Sequence, residues 1–83
     1  MSIIVERKID SITTYAVVLA SEWYGGIMQL AMGYRFVHPD DFVVCKWSDF
    51  HDGERSNIEG KVTIAICREL EDAMTILDSR TLK

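Results

Sequence analysis

The 83-residue sequence contains only one proline and two cysteines, and none of its apolar runs approaches the roughly 20 residues of a membrane-spanning helix. Charged residues occupy positions 6 to 8, where a secretory signal peptide would continue its apolar stretch. Cys45 and Cys67 are too isolated for a zinc site, and each lies in an apolar segment that is typical of a buried free thiol. We therefore expect a cytoplasmic protein with two free thiols and no membrane span.

Basic residues are also scarce, with nine Lys and Arg against 13 Asp and Glu. No more than two basic residues are adjacent in the sequence. The net charge of −4 arises from residues 38–83, which carry ten acids and six bases. An acidic surface repels phosphate, so nucleic acid is an unlikely partner. The chain is too short for a second core, whereas 48% hydrophobic residues suffice for one. We expect a single domain over residues 1–83.

The segment from Ile12 to Val37 determines the predicted architecture. If Gly25-Gly26 forms a two-residue hairpin loop, one face of the hairpin is apolar except for Ser21, and the other is almost entirely small or polar. This agreement favours a β-hairpin and a sheet that is covered on one side. The residues expected to be buried on that side are Tyr15, Leu19, Met32, Tyr34 and Phe36. The alternative is a helix that ends at the two glycines.

The remaining segments complete the prediction of an α+β fold. We expect strands over residues 2–9, 42–47 and 61–68, with turns at 10–11 and 38–41 and a polar loop from Ser48 to Gly60. From Glu69 the apolar period becomes helical, and Leu70, Ala73, Met74 and Leu77 form one stripe. The predicted fold is an antiparallel sheet of four to five strands with a C-terminal helix packed on one face.

The sequence contains no catalytic constellation and no phosphate-loop or dinucleotide fingerprint, and it predicts no cofactor and no metal. We therefore expect a non-enzymatic protein-binding module, such as an inhibitor, an antitoxin-like factor or an adaptor of the kind that phages and mobile elements encode. The polar loop is the expected contact region, because a long loop on a rigid scaffold commonly carries function. Its partner-binding residues would be Asp49, Phe50, His51, Asp52, Glu54 and Glu59.

Two other functions stay open at this point. A metal-dependent hydrolase would require His38, Asp49, His51 and Asp52 to converge on one point, since imidazole and carboxylate are common ligands of divalent cations. A protein that binds RNA or single-stranded DNA would use aromatic residues on one sheet face, namely Tyr15, Trp23, Tyr34 and Phe36. We also expect a homodimer, because the edges of a small open sheet leave backbone groups unpaired.

Overall fold

A computed structural model describes residues 3–52 and 55–82, and the side chains of all of these except 31, 34, 35, 49–52 and 55–60. Its strands are β1 (Ile3–Lys8), β2 (Thr13–Leu19), β3 (Phe42–Asp52) and β4 (Arg55–Cys67). Its helices are α1 (Ala20–Tyr24), α2 (Met28–Arg35) and α3 (Leu70–Thr81), with a 3-10 turn at Gly25–Ile27 between the first two. None of the helices in these described ranges is long and apolar enough to span a membrane.

The four strands form one antiparallel sheet in the order β1-β2-β3-β4, so each strand pairs with its neighbour in the chain. Leu19 at the end of β2 pairs with Phe42 at the start of β3, and Phe42 pairs in turn with Cys67 at the end of β4. Together with α3, which packs against β2, β3 and β4, this sheet confirms the predicted α+β class and its C-terminal helix.

Both faces of the sheet are covered, so the prediction of a sheet covered on one side is wrong. Successive side chains of a strand point to opposite faces, and β2 is apolar on both, since Val17 and Val18 are each fully buried. Val17 belongs to a core cluster with Val44 of β3 and two residues of α3. Val18 belongs to a second cluster that also contains Ala16, Ala20, Val37, Val43, Cys45 and Trp47.

The predicted hairpin around Gly25-Gly26 is also wrong, because β2 ends at Leu19 and the chain continues as α1, the 3-10 turn and α2. The first backbone N–H groups of α1 donate to carbonyls of the 38–41 turn: Ala20 to Asp41 at 2.9 Å and Ser21 to Pro39 at 3.1 Å. These bonds replace the strand partners that a hairpin would have supplied. Of the residues expected to be buried, Tyr15 and Leu19 are half-buried, whereas Met32 and Phe36 are exposed. The side chain of Tyr34 lies outside the described residues.

The predicted polar loop from Ser48 to Gly60 is a β-hairpin. Strand β3 extends to Asp52, β4 begins at Arg55, and these two residues pair. The neighbouring strand β2 begins at Thr13, opposite Ser48, so residues 49–52 and 55–58 pair only with each other. We call this two-stranded extension the hairpin arm.

Both predicted turns are confirmed, and each is stabilised by an aspartate side chain. Asp10 Oδ1 accepts the backbone N–H groups of Ile12 at 2.9 Å and Thr13 at 2.7 Å, which lowers the pKa of this carboxyl. Asp41 Oδ2 accepts the backbone N–H of His38 at 2.9 Å, and the Asp41 N–H donates to the His38 carbonyl at 3.0 Å. The second turn therefore positions the carbonyls of Pro39 and Asp41, which accept the first N–H groups of α1.

Candidate functional site

Large apolar side chains face the solvent along α2 and at its two ends. The exposed fraction is 59% for Ile27, 61% for Leu30, 39% for Met32 and 84% for Phe36. We call these four residues the α2 surface. Among the described side chains of α2, only Met28 packs against a core cluster. The described side chains of Leu30 and Met32 thus face outward, as do those of Ile27 and Phe36 at the two ends of the helix.

The backbone has a residue with positive φ before α2 and another after it, and at positive φ a side chain is crowded by the backbone. Gly25 has φ = 53°, which a glycine tolerates, and this residue ends α1. Phe36 has φ = 52° and ψ = 40°, and its N–H donates to the Met32 carbonyl at 3.1 Å, ending α2. A left-handed conformation costs a residue other than glycine roughly 1–2 kcal/mol. The protein therefore holds an exposed aromatic residue in an unfavourable backbone conformation.

Helix α1 holds this region to the sheet through Trp23. The Trp23 Nε1–H donates to the Thr63 hydroxyl oxygen of β4 at 2.9 Å, and the Trp23 and Trp47 ring centroids lie 6.4 Å apart. The Lys61 ammonium lies 5.4 Å from the centroid of the Trp23 ring, within the range of a cation–π contact. The α2 surface therefore follows a firmly anchored turn of helix.

The residues predicted to bind a partner belong to the hairpin arm and its base. Asp49, Phe50, His51 and Asp52 are consecutive in β3, and Glu59 of β4 pairs with Ser48 at the base. The side chains of these five residues, and the whole of Glu54, lie outside the described residues. Their backbone placement replaces a loop with a projecting ribbon, and their role in binding stays a prediction.

The four residues of the hydrolase hypothesis are not brought together within one chain. His38 precedes β3, whereas Asp49, His51 and Asp52 occupy its far end. At a rise of about 3.3 Å per residue, the seven steps from Phe42 to Asp49 alone span roughly 23 Å. Among the side chains that the structure describes, no group of three His, Cys, Asp or Glu residues is placed to hold a metal ion.

The aromatic residues of the nucleic-acid hypothesis do not form one platform. Tyr15 packs in the core cluster beneath α3, Trp23 packs in the cluster on the opposite face, and Phe36 projects from the end of α2. A stacking surface for successive bases requires aromatic rings that are exposed side by side. The three described residues lack this arrangement.

Both cysteines are free thiols, as predicted, and neither is activated. Burial raises the pKa of Cys45 from 9.0 to about 12, and its Sγ lies 3.6 Å from the Ala16 carbonyl oxygen. Burial also raises the pKa of Cys67, and the carboxylates of Asp72 and Asp41 raise it further. Because the thiolate is the reactive form, neither thiol is a ready nucleophile at neutral pH.

No protein-family model, curated protein or solved structure matches this chain, so the site must be interpreted from its own geometry. Sequence reasoning missed the α2 surface because it assigned Met32 and Phe36 to the sheet core. The available signal lies after Gly25-Gly26, in a segment that the helical alternative did not include. In a helix of eight residues, the many apolar positions between Ile27 and Phe36 exceed what one inward face can bury.

Proposed function

We propose that this protein is a non-enzymatic protein-binding module whose α2 surface docks onto another protein. The observation that carries this proposal is the concentration of four exposed, large apolar residues within ten positions. Single exposed apolar residues are common on protein surfaces, whereas several on one short element increase the apolar surface available to a partner. Inhibitor, antitoxin-like factor and adaptor are the roles that such a module would fill in the cytoplasm.

The composition of the α2 surface also supports docking to a protein. Aromatic residues and methionine are enriched at protein interfaces, and burying apolar area contributes about 25 cal/mol per Å². Phe36, the most exposed of the four, would supply the largest buried area. Its left-handed backbone ends α2, and unfavourable backbone conformations are also found at functional sites. Docking to a partner would bury the exposed Phe36 ring.

Charge supports a basic partner. The net charge of −4 would steer a positively charged surface toward the protein and raise the association rate. The acidic residues predicted for binding, Asp49, Asp52, Glu54 and Glu59, form part of this charge and can add a second contact through the hairpin arm. The α2 surface would then govern the dissociation rate, and the acidic residues the association rate.

The decisive variant is Phe36→Gly, because it separates binding from folding. Glycine tolerates φ = 52°, so we expect this change to raise the free energy of unfolding by about 1 kcal/mol while it removes the aromatic side chain. Wild-type and variant proteins would be immobilised, exposed to a lysate of the native host, and compared by quantitative mass spectrometry. We expect a protein that is captured by the wild type to be reduced at least about tenfold with the variant, as for the loss of an interface anchor.

A matched control is Leu70→Ser, which removes an exposed apolar residue at the start of α3, far along the chain from α2. This control should capture the same protein as the wild type. Equal capture by wild type, Phe36→Gly and Leu30→Ser, or the absence of any protein enriched by the wild type, would contradict the proposal.

A further inference from the structure

Strand β1 forms the more regular of the two edges of the described sheet. The strand order places β1 at one edge and β4 at the other. The pairing of β4 with β3 shifts register twice, whereas β1 has one shift, between Ile3 and Val5. The residues from Val5 to Lys8 then pair in unbroken register with β2. Since an edge strand offers its outward backbone groups to a further strand, this stretch is a template for pairing.

A hydrogen bond at the β1–β2 turn shows which backbone groups of β1 point outward. The Ile9 N–H donates to the Thr13 carbonyl at 3.1 Å, and these two residues continue the register of β1 with β2. In an antiparallel pair, residues whose backbone groups point toward the partner strand alternate with residues whose groups point away from it. The odd-numbered residues from Val5 to Ile9 therefore face β2, whereas Glu6 and Lys8 direct their backbone groups to the outer edge.

Two copies of β1 can pair about a two-fold axis only in registers that bring these outward groups together. Such an axis passes through Glu6, Arg7 or Lys8. An axis through Glu6 places the two Glu6 carboxylates opposite each other, and an axis through Lys8 brings Glu6 opposite Asp10 of the other copy. Like charges directly opposite are destabilising. An axis through Arg7 opposes two guanidinium groups, but each of them forms an ion pair with Asp78 in its own chain.

The register centred on Arg7 also matches side chains of complementary type. It places Glu6 of each copy opposite Lys8 of the other, where each such pair exchanges both of its backbone hydrogen bonds. Lys8 has an interaction in its own chain, and its ammonium group, with three donors, can accommodate a second acceptor. On the face that α3 covers, the exposed Ile9 comes opposite the half-buried Val5.

We propose that the protein forms a homodimer in which the two β1 strands pair antiparallel about a two-fold axis at Arg7. The contact joins two four-stranded sheets into one sheet of eight strands. Charged residues on an edge strand discourage pairing with unrelated strands. Because the charges of β1 are complementary to a second copy of β1, they select this partner. The α2 surface contributes no residue to the contact, so the dimer goes beyond the proposed function.

Charge reversal in β1 tests the dimer. Sedimentation velocity should give the wild type twice the 9.5 kDa of one chain. Glu6→Lys brings two positive side chains opposite each other and Lys8→Glu two negative ones, so each should raise the dissociation constant at least about tenfold. The double variant Glu6→Lys/Lys8→Glu restores opposite charges and should regain the dimer. This recovery is specific to the axis at Arg7, since in the other registers the exchanged residue still lies opposite itself.

The backbone part of the contact is tested by Glu6→Pro. Proline removes an N–H that points away from β2, so the change should abolish the dimer while the sheet within each chain is retained. The matched control is Asp40→Lys, a charge reversal at an exposed residue of the 38–41 turn, which should remain dimeric. Circular dichroism establishes that each variant is folded. If a single reversal does not fold, the double variant and Glu6→Pro still test the contact.

A monomeric wild type, a Glu6→Pro variant that stays dimeric, or a double variant that stays monomeric would overturn the inference. Phe36→Gly should remain dimeric, because its side chain belongs to the α2 surface. A monomeric Phe36→Gly variant would assign the contact to that surface instead of β1. Loss of partner capture by Phe36→Gly together with an unchanged dimer would separate the two contacts.

Discussion

The two helical layers of this protein use their apolar residues in opposite ways. In α3, Ala73 and Leu77 are fully buried against the sheet and Met74 is half-buried, although Leu70 of the predicted stripe is exposed. In α2, Met28 faces the core while Leu30 and Met32 face the solvent. Helix α3 therefore stabilises the fold, whereas two of the three large apolar side chains described in α2 are exposed to solvent.

The two helices also differ in the charged residues of their first turns. Acidic residues occupy the first turn of α3 and Arg80 its last turn, which matches the helix dipole, and Asp78 pairs with Arg7 of β1. No acidic residue lies in the first turn of α2. Helix α2 therefore lacks the acidic first turn of α3, and its Leu30 and Met32 side chains are exposed.

The largest expected effect comes from the inward side of α3. Leu77→Ala should lower the free energy of unfolding by about 2–5 kcal/mol, because it leaves a cavity beneath the helix. Leu30→Ala on the α2 surface should change it by no more than about 0.5 kcal/mol. Urea unfolding followed by circular dichroism measures both values. Similar losses in the two variants would mean that the layers do not differ.

We expect the core on the sheet face beneath α1 to exclude water from the Cys45 thiol. Because the folded-state pKa of Cys45 is raised from 9.0 to about 12, the thiol favours folding below pH 9, and this contribution is lost as pH rises toward 12. At about 1.4 kcal/mol per pH unit, the wild type should lose roughly 2 kcal/mol more than Cys45→Ala by about pH 10.5. Urea unfolding at about pH 8 and about pH 10.5 tests this expectation. Parallel losses would indicate that water reaches the thiol.

Two glycines near α2 should respond in opposite directions. Gly25→Ala should destabilise the protein by about 1–2 kcal/mol, because φ = 53° is unfavourable for alanine. Gly33→Ala should stabilise it by about 0.5–1 kcal/mol, since alanine favours a helix and a Cβ at this position meets no atom within 4 Å. Thermal unfolding compares the two variants. A gain in stability for Gly25→Ala would place the break between α1 and α2 elsewhere.

The smallest effect concerns the anchor of α1. Trp23→Phe should cost about 1 kcal/mol through loss of the hydrogen bond to Thr63, in addition to the smaller ring contact with Trp47. Thr63→Val removes the other partner of the same bond. In a double-mutant cycle the two changes should therefore cost less together than the sum of their separate effects. Strict additivity would show that this bond does not hold α1 to β4.

The elements that could be predicted from sequence are those whose local signals agree with their packing. The stripe of α3, the aspartate turns at Asp10 and Asp41, and the β-rich segments of β1, β3 and β4 each combine composition with a clear period. The sequence is sufficient for these elements because their backbone hydrogen bonds come from the same helix or turn, or from the strand that is next in the chain. The sequence predicts a loop after Ser48, because a polar segment has no alternation of apolar residues. Its pairing with β4 therefore leaves no signal in the sequence.

The sequence by itself determined the fold class, the C-terminal helix and the presence of two unpaired thiols. Only the tertiary structure decided the fate of the chain after Leu19, where carbonyls of Pro39 and Asp41, about 20 positions away, start a helix instead of a hairpin. The alternating pattern did not reveal this, since the second face of β2 carries small residues such as Ala16 and Val18, which a sheet covered on one side also accommodates. The exposure of the α2 surface follows from that same tertiary contact, because a helix that begins at Ala20 turns Leu30 and Phe36 away from the sheet.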